Sequence, residues 1–174
     1  MKMDSLRKLF VHTLKDSYSA ENQLIEALPK MAKAATSPEL AQGFRTHLEQ
    51  TKEHARRIER IFEAMGGSPA GVHCNGMEGL IKEGDEVASD KEADDDVRDA
   101  GLIGAAQKVE HYEIAAYGTV CAYAKLLGED EALRLLHQSL EEEKQTDELL
   151  TQMAEGQINP QANQPTGQPQ RSKN

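Results

Sequence analysis

The run IGAAQKVEHYEIAAYGTVCAYAKLL, Ile103 to Leu127, decides the fold. Taken at every third and fourth residue it gives Ile103, Ala106, Glu110, Glu113, Tyr117, Val120, Ala124 and Leu127. That spacing traces one face of an α-helix, apolar except for two carboxylates at its middle. An ionised carboxylate on a buried face is costly unless it is paired, protonated or bound to a cation. The stretch therefore predicts a long helix whose inward stripe carries acid for a reason other than packing.

Three more stretches repeat the pattern. The first reads Phe10, Leu14, Ser17, Glu21, Leu24, Leu28, Met31, and the second reads Leu40, Phe44, His47, Thr51, His54, Ile58, Ile61, Met65. The last reads Leu133, Leu136, Leu140, Glu143, Asp147, Leu150, Ala154. Start and stop signals bound these helices. Asp4 or Ser5 suits the first N-cap, and Pro29, lacking an amide donor, predicts a kink or end with a short continuation to about Ala35. Ser37-Pro38-Glu39 opens the second helix, and Gly66-Gly67 closes it. The third spans about Val97 to Leu127 and stops at Gly128; the fourth starts at Glu129 or Asp130 and ends near Gly156.

Between the second and third helices, residues 67 to about 96 form a long connection in which MEGLIKEGDEVASD predicts a short helix. Short first and last connections around one long crossover are the connectivity of a ferritin-like four-helix bundle, an all-α fold. Residues 1–156 read as that single domain. Residues 157–174, rich in Gln, Asn and Pro, read as a disordered tail.

Composition narrows the function. Thirty acidic against twenty basic residues give a net charge of −10, which argues against a nucleic-acid or anionic-membrane partner. No run approaches the roughly 20 apolar residues of a membrane span. The charged N-terminus MKMDSLRKLFVHTLKD has no signal-peptide core, and Cys74 and Cys121 form no framework spacing, so a cytoplasmic location is expected.

In a bundle whose helices cross at about 20°, residues midway along each helix share one level. Glu21, His47, His54, Glu110, Glu113, Glu143 and Asp147 all fall near mid-helix. One acid in an apolar stripe is ordinarily a boundary residue whose head reaches water. Five carboxylates and two imidazoles at one level are not explained that way, because crowded like charges repel. Such an oxygen-rich set suits iron or manganese, with dioxygen or peroxide as a small-molecule partner. Di-iron bundles take a Glu-x-x-His pair from each of two helices. This chain has none: Thr51 stands three before His54, and Thr146 three after Glu143. The reading therefore allows one ion or an asymmetric pair. Glu21, His54, Glu110, Glu113 and Glu143 are the main ligands, and Asp147, His47 and Glu53 auxiliary ones.

Lesser signals carry less. His73-Cys74 has no partner pair at ligand spacing and reads as loop. Cys121 reads as packing, and His12, His111 and His137 as surface residues. Tyr18 and Tyr117, a turn from Glu21 and Glu113, read either as hydrogen-bond partners of ligands or as core aromatics.

The runs KVEHYEIAAYGT (108–119), LEEEKQTDELL (140–150), LKDSYSAENQLIEALPKMAKA (14–34) and CNGMEGLIKEGDEV (74–87) resemble the bacterial YciE/YciF-like stress proteins. The resemblance covers about residues 4 to 155. It implies a ferritin-like fold related to rubrerythrins and a homodimer. The rubrerythrin comparison puts Glu21 at the first-helix ligand, Glu110 and Glu113 at the third-helix pair and Glu143 at the fourth-helix ligand. His54, within KEHARR, falls at the second-helix histidine. Two functions follow as expectations. One is a metal-dependent oxidoreductase or iron-handling protein; the other is a non-enzymatic helical stress protein that works by partner binding, its acidic centre vestigial.

Overall fold

The computed structural model describes residues 4–164. The chain is all-helical, with no strand among the described residues: α1 (Leu6–Ala34), α2 (Pro38–Met65), α3 (Asn75–Ser89), α4 (Asp95–Leu127) and α5 (Asp130–Met153). A π-helical turn over Ala154–Ile158 and a short α6 (Asn159–Ala162) follow.

Local chemistry sets the ends. The Ser5 hydroxyl accepts the Lys8 amide at 3.3 Å, and the Ser37 hydroxyl accepts that of Leu40 at 3.3 Å, with Pro38 in the first turn of α2. Gly66 and Gly128 end α2 and α4 at φ of 69° and 70°, a conformation that a side chain would strain. Buried Asp99 of α4 accepts the amides of Thr36 and Ser37 at 2.8 and 2.6 Å. The α1–α2 turn is thereby fastened to a residue 62 and 63 positions away in sequence.

Two apolar clusters show how the helices run. One joins Phe10 and Leu14 at the start of α1 to Ile58 and Phe62 late in α2, Val120 and Ala124 late in α4, and Leu135 and Leu136 early in α5. The other joins Leu28 and Met31, Leu40 and Phe44, Leu102 and Ile103, and Leu150 and Met153, the opposite end of each helix. So α1 lies antiparallel to α2 and α4, and α5 antiparallel to α2 and α4. Contacts close the circuit α1–α2–α5–α4. Helices α2 and α4 therefore point the same way, and the chain between them must return along the molecule. Helix α3 fills that return and packs on α1 and α4. Its Leu80, Ile81 and Val87 are half-buried against the second cluster.

Two expectations need correction. Pro29 does not end α1, which continues unbroken to Ala34, close to the expected limit at Ala35. One missing donor weakens a single turn, and Leu28, Met31 and Ala32 anchor the segment by burial. The helical C-terminus also passes Gly156 to Ala162, and Ile158 is 3% exposed. In a regular α-helix the Pro160 ring would meet the Gly156 carbonyl; the π turn resets the register so that Pro160 falls in the first turn of α6. Residues 165–174 of the expected tail lie outside the described residues. No helix among the described residues is long and apolar enough to cross a membrane.

Candidate metal centre

A polar layer separates the two apolar clusters. It is built from Glu21 on α1, His47 and His54 two turns apart on α2, Glu110 and Glu113 one turn apart on α4, and Glu143 on α5. All six side chains belong to residues no more than 3% exposed. Four carboxylates and two imidazoles match in number the ligand set of a di-iron bundle, although the spacing differs. Here both histidines come from one helix.

The donors divide into two groups. Atoms of His47, Glu110, Glu113 and Glu143 lie within 4.8 Å of one another, as do atoms of Glu21, His54 and Glu143. Glu143 belongs to both. Its Oε1 is 2.8 Å from His54 Nδ1, and its Oε2 is 3.9 Å from His47 Nε2. Within the groups, His54 Nδ1 stands 3.6 Å from Glu21 Oε1, and His47 Nε2 stands 3.3 Å from Glu110 Oε1. Two donors bonded to one ion at about 2.1 Å lie about 3 Å apart at right angles and about 4 Å apart when opposed. The observed separations fall at or near those chords.

Hydrogen bonding leaves these atoms unsatisfied. Glu21 Oε2, His47 Nε2, His54 Nδ1, Glu110 Oε2, Glu113 Oε2, both Glu143 oxygens and Ser17 Oγ are buried with no hydrogen-bond partner among the described residues. His54 Nδ1 and Glu143 Oε1 are close enough for a hydrogen bond, but their alignment does not make one. Native proteins leave few such atoms, because each forfeits its hydration. Lone pairs that converge without pairing suit a shared cation.

The far sides of the ligands are held. His54 Nε2 lies 2.7 Å from Glu142 Oε2, a carboxylate oxygen that accepts its proton, so in the neutral ring Nδ1 is the nitrogen free to face a cation. Arg57 clamps Glu142 from Nη1 and Nη2 at 2.7 and 2.9 Å, and Nη1 also donates to Ser139. The Tyr117 hydroxyl donates to Glu21 Oε1, and the Tyr117 ring meets the His54 ring edge-on at 5.9 Å. His47 Nδ1 has Thr146 Oγ1 at 3.4 Å.

Electrostatics follow from crowding. Burial, then the charge of Glu143, pushes Glu110 and Glu113 well above the usual carboxylate range. Burial and Glu143 likewise raise Glu21 to about 8 against the pull of His54. Burial opposes a charge on Glu142, yet His54 and Arg57 hold it at about 2. The bare layer thus keeps protons that a divalent cation would displace.

Two sequence candidates stand apart. Glu53 pairs with Arg56 at 3.3 Å and Arg60 at 2.8 Å, its side chain 32% exposed. Asp147 faces His111 at 3.4 Å and Gln107 at 3.4 Å on the rim. Of the tyrosines, Tyr117 reaches a candidate ligand, whereas Tyr18 donates to Glu59 at 2.7 Å. His73 pairs with Glu78, and the buried Cys74 thiol lies 3.1 Å from Asp16 and 2.9 Å from the Tyr112 hydroxyl, so the two do not share a site. Glu142, Arg57 and Ser139 support the layer and were missed, because the stripe reading follows one face only.

The chain belongs to the family described as Domain of unknown function (DUF892), which matches residues 5–163. It is 46% identical over 163 residues to Protein YciF of Escherichia coli (strain K12), covering 93% of this chain and 98% of that protein. The crystal structure of the E. coli stress protein YciF superposes with a TM-score of 0.86 over 90% of this chain and 99% of that one. YcfI from Rhodopseudomonas palustris is 44% identical, with a TM-score of 0.83 over 86% of this chain and 95% of that one. A Xanthomonas campestris protein at 23% identity and TM-score 0.70 shares the fold alone.

Proposed function

We propose that this member of the DUF892 family is a ferritin-like four-helix bundle that holds iron or manganese in its mid-helix layer and handles iron, dioxygen or peroxide under stress. The observation that carries the reading is the set of buried, unpartnered donor atoms aimed at common points from four helices. Glu143, with one oxygen toward each group, would contribute to both. His54, Glu21 and Glu143 would hold one ion, and His47, Glu110, Glu113 and Glu143 the other. A bound iron or manganese centre supplies redox chemistry toward dioxygen or peroxide. The chain's own part is to orient the donors through Glu142, Tyr117 and Thr146 and to keep bulk water out by burial. A stress role rests on the description of the E. coli relative. A cytoplasmic homodimer is part of the proposal, with the half-buried α3 residues Leu80, Ile81 and Val87 as its candidate face. Light scattering should give twice 19.2 kDa; a monomer at high concentration would remove the dimer.

The test is metal-dependent stability in the wild type and Glu110→Gln. At a hundred times Kd, the ion should stabilise the wild type by about 2.7 kcal/mol, roughly 5–10 °C in Tm. Glu110→Gln should lose most of that gain and keep the fold. The competing reading, a structural protein with a vestigial site, expects no gain from iron or manganese and a more stable Glu110→Gln protein. That pair of results would overturn the metal assignment.

A further inference from the structure

Beside the His47 group lies a small apolar cavity. Leu24, Val109 and Leu150 wall it, and among the described residues the titratable side chains that reach it are His47 and Glu110 at its inner end. Its outer rim is formed by Gly43, Thr146 and Leu149, of which Leu149 is 42% exposed. The space is about 20 Å³, room for one molecule the size of water. A bound water needs two to four polar partners. Between His47 and Glu110 at the inner end and Thr146 at the rim the walls are apolar, so a polar guest passing along them would leave hydrogen bonds unmade. An acyl chain or ring is too large. What fits both size and polarity is an apolar diatomic gas.

We propose that this cavity binds dioxygen and delivers it to the His47–Glu110 side of the centre, while disfavouring hydrogen peroxide and water. The purpose assigned to the cavity rests on the metal reading above; its occupancy by gas does not. Gly43 controls the rim. A Cβ there would lie 3.5 Å from Met153 Cε and 4.0 Å from Sδ, ordinary contact, so the first added carbon is tolerated. A leucine at 43 must then place its branch in the cavity or drive the Met153 thioether inward. Leucine also favours the helix more than glycine does.

The probe is dioxygen itself, whose unpaired electrons speed the relaxation of nearby nuclei. Methyl relaxation is measured under dioxygen and under nitrogen on the full-length protein, both metal-free and loaded with zinc, which is diamagnetic and does not react. Methyls of Leu24, Val109 and Leu150 should show an enhancement several-fold larger than those of Leu14, Val120 and Leu136, buried in the other cluster. Gly43→Leu should abolish the difference, and Met153→Ala, which widens the space, should increase it. Equal enhancement in the two clusters, or a difference unaffected by both substitutions, overturns the proposal. If iron and manganese give no stabilisation while the metal-free protein shows the enhancement, the metal reading falls and the gas cavity stands. If zinc binds and the enhancement is absent, the cavity proposal falls alone.

Discussion

At His54 the imidazole is fixed from both sides, with Nε2–H on Glu142 and Nδ1 turned to Glu21 and Glu143, while Arg57 grips Glu142 with two nitrogens. Outer partners of this kind set ring orientation and ligand basicity, and losing one weakens metal binding about 10–100-fold. Glu142→Gln is expected to do so while costing about 1–3 kcal/mol of stability, since the amide keeps one acceptor for Arg57. Competition against a fluorescent chelator measures the affinity; an unchanged value would remove Glu142 from the site. The same residue marks where the sequence stops being informative. Glu21, Glu110, Glu113, Glu143 and His54 are legible because each interrupts a hydrocarbon stripe. Glu142 sits 100° around α5 from Glu143 and looks like any solvated acid. Asp147 misleads the other way: four residues rotate a side chain by about 40° beyond a full turn, enough to bring it to the rim. His47 is visible on the α2 stripe, but the expected Glu-x-x-His template relegated it to an auxiliary role.

Among the elements, the C-terminal segment departs most from expectation. Composition marks residues after Gly156 as tail, because Pro160 and its Gln/Asn neighbours swamp one apolar side chain. Yet Ile158 joins the cluster containing Leu150 and Met153, and α6 and the π turn pack on α4. Ile158→Ala should cost about 2 kcal/mol, the low end for a buried isoleucine because the chain end can collapse into the gap. Truncation after Gly156 should cost at least as much, and thermal unfolding compares them. A truncated protein as stable as the full chain would show that the segment contributes nothing. Helix α3, by contrast, was legible: helical spacing in MEGLIKEGDEV foretold it, and the start of α2 and the ends of α2 and α4 followed from Ser37-Pro38, Gly66 and Gly128. What spacing could not foretell was the fastening of the α1–α2 turn by Asp99, an acid isolated in sequence from both partners.

For the molecule as a whole, the polar layer sets the pH response. In the metal-free protein, burial and Glu143 raise Glu21 to about 8. Burial works against a charge on His54, but Glu21, Glu142 and Glu143 outweigh it and raise His54 to about 10. The unfolded chain releases these protons near 4.3 and 6.5. Between pH 7 and 9 the folded protein therefore holds protons that the unfolded chain has lost, so its stability falls as pH rises. Metal binding needs those same groups deprotonated, so affinity should rise over that window. Tm measured from pH 7 to 9 should decline without metal and decline less, or rise, with it. Parallel declines would show that no ion competes for these protons.

The layer also lies across the seam between two helical hairpins. One, α1–α2, brings a single carboxylate and both imidazoles; the other, α4–α5, brings three carboxylates. Each hairpin is closed by a connection of two or three residues, so its contacts are local and should form early in refolding. Docking the two requires closing the long loop through α3, a slower step, and it is the step that assembles both donor groups at once. An ion present during refolding should then leave hairpin formation unchanged and act on docking, favouring association from one side and retarding escape from the other. A metal held there would be, in kinetic language, a latch on the last move of the chain, read as a metal-dependent unfolding rate.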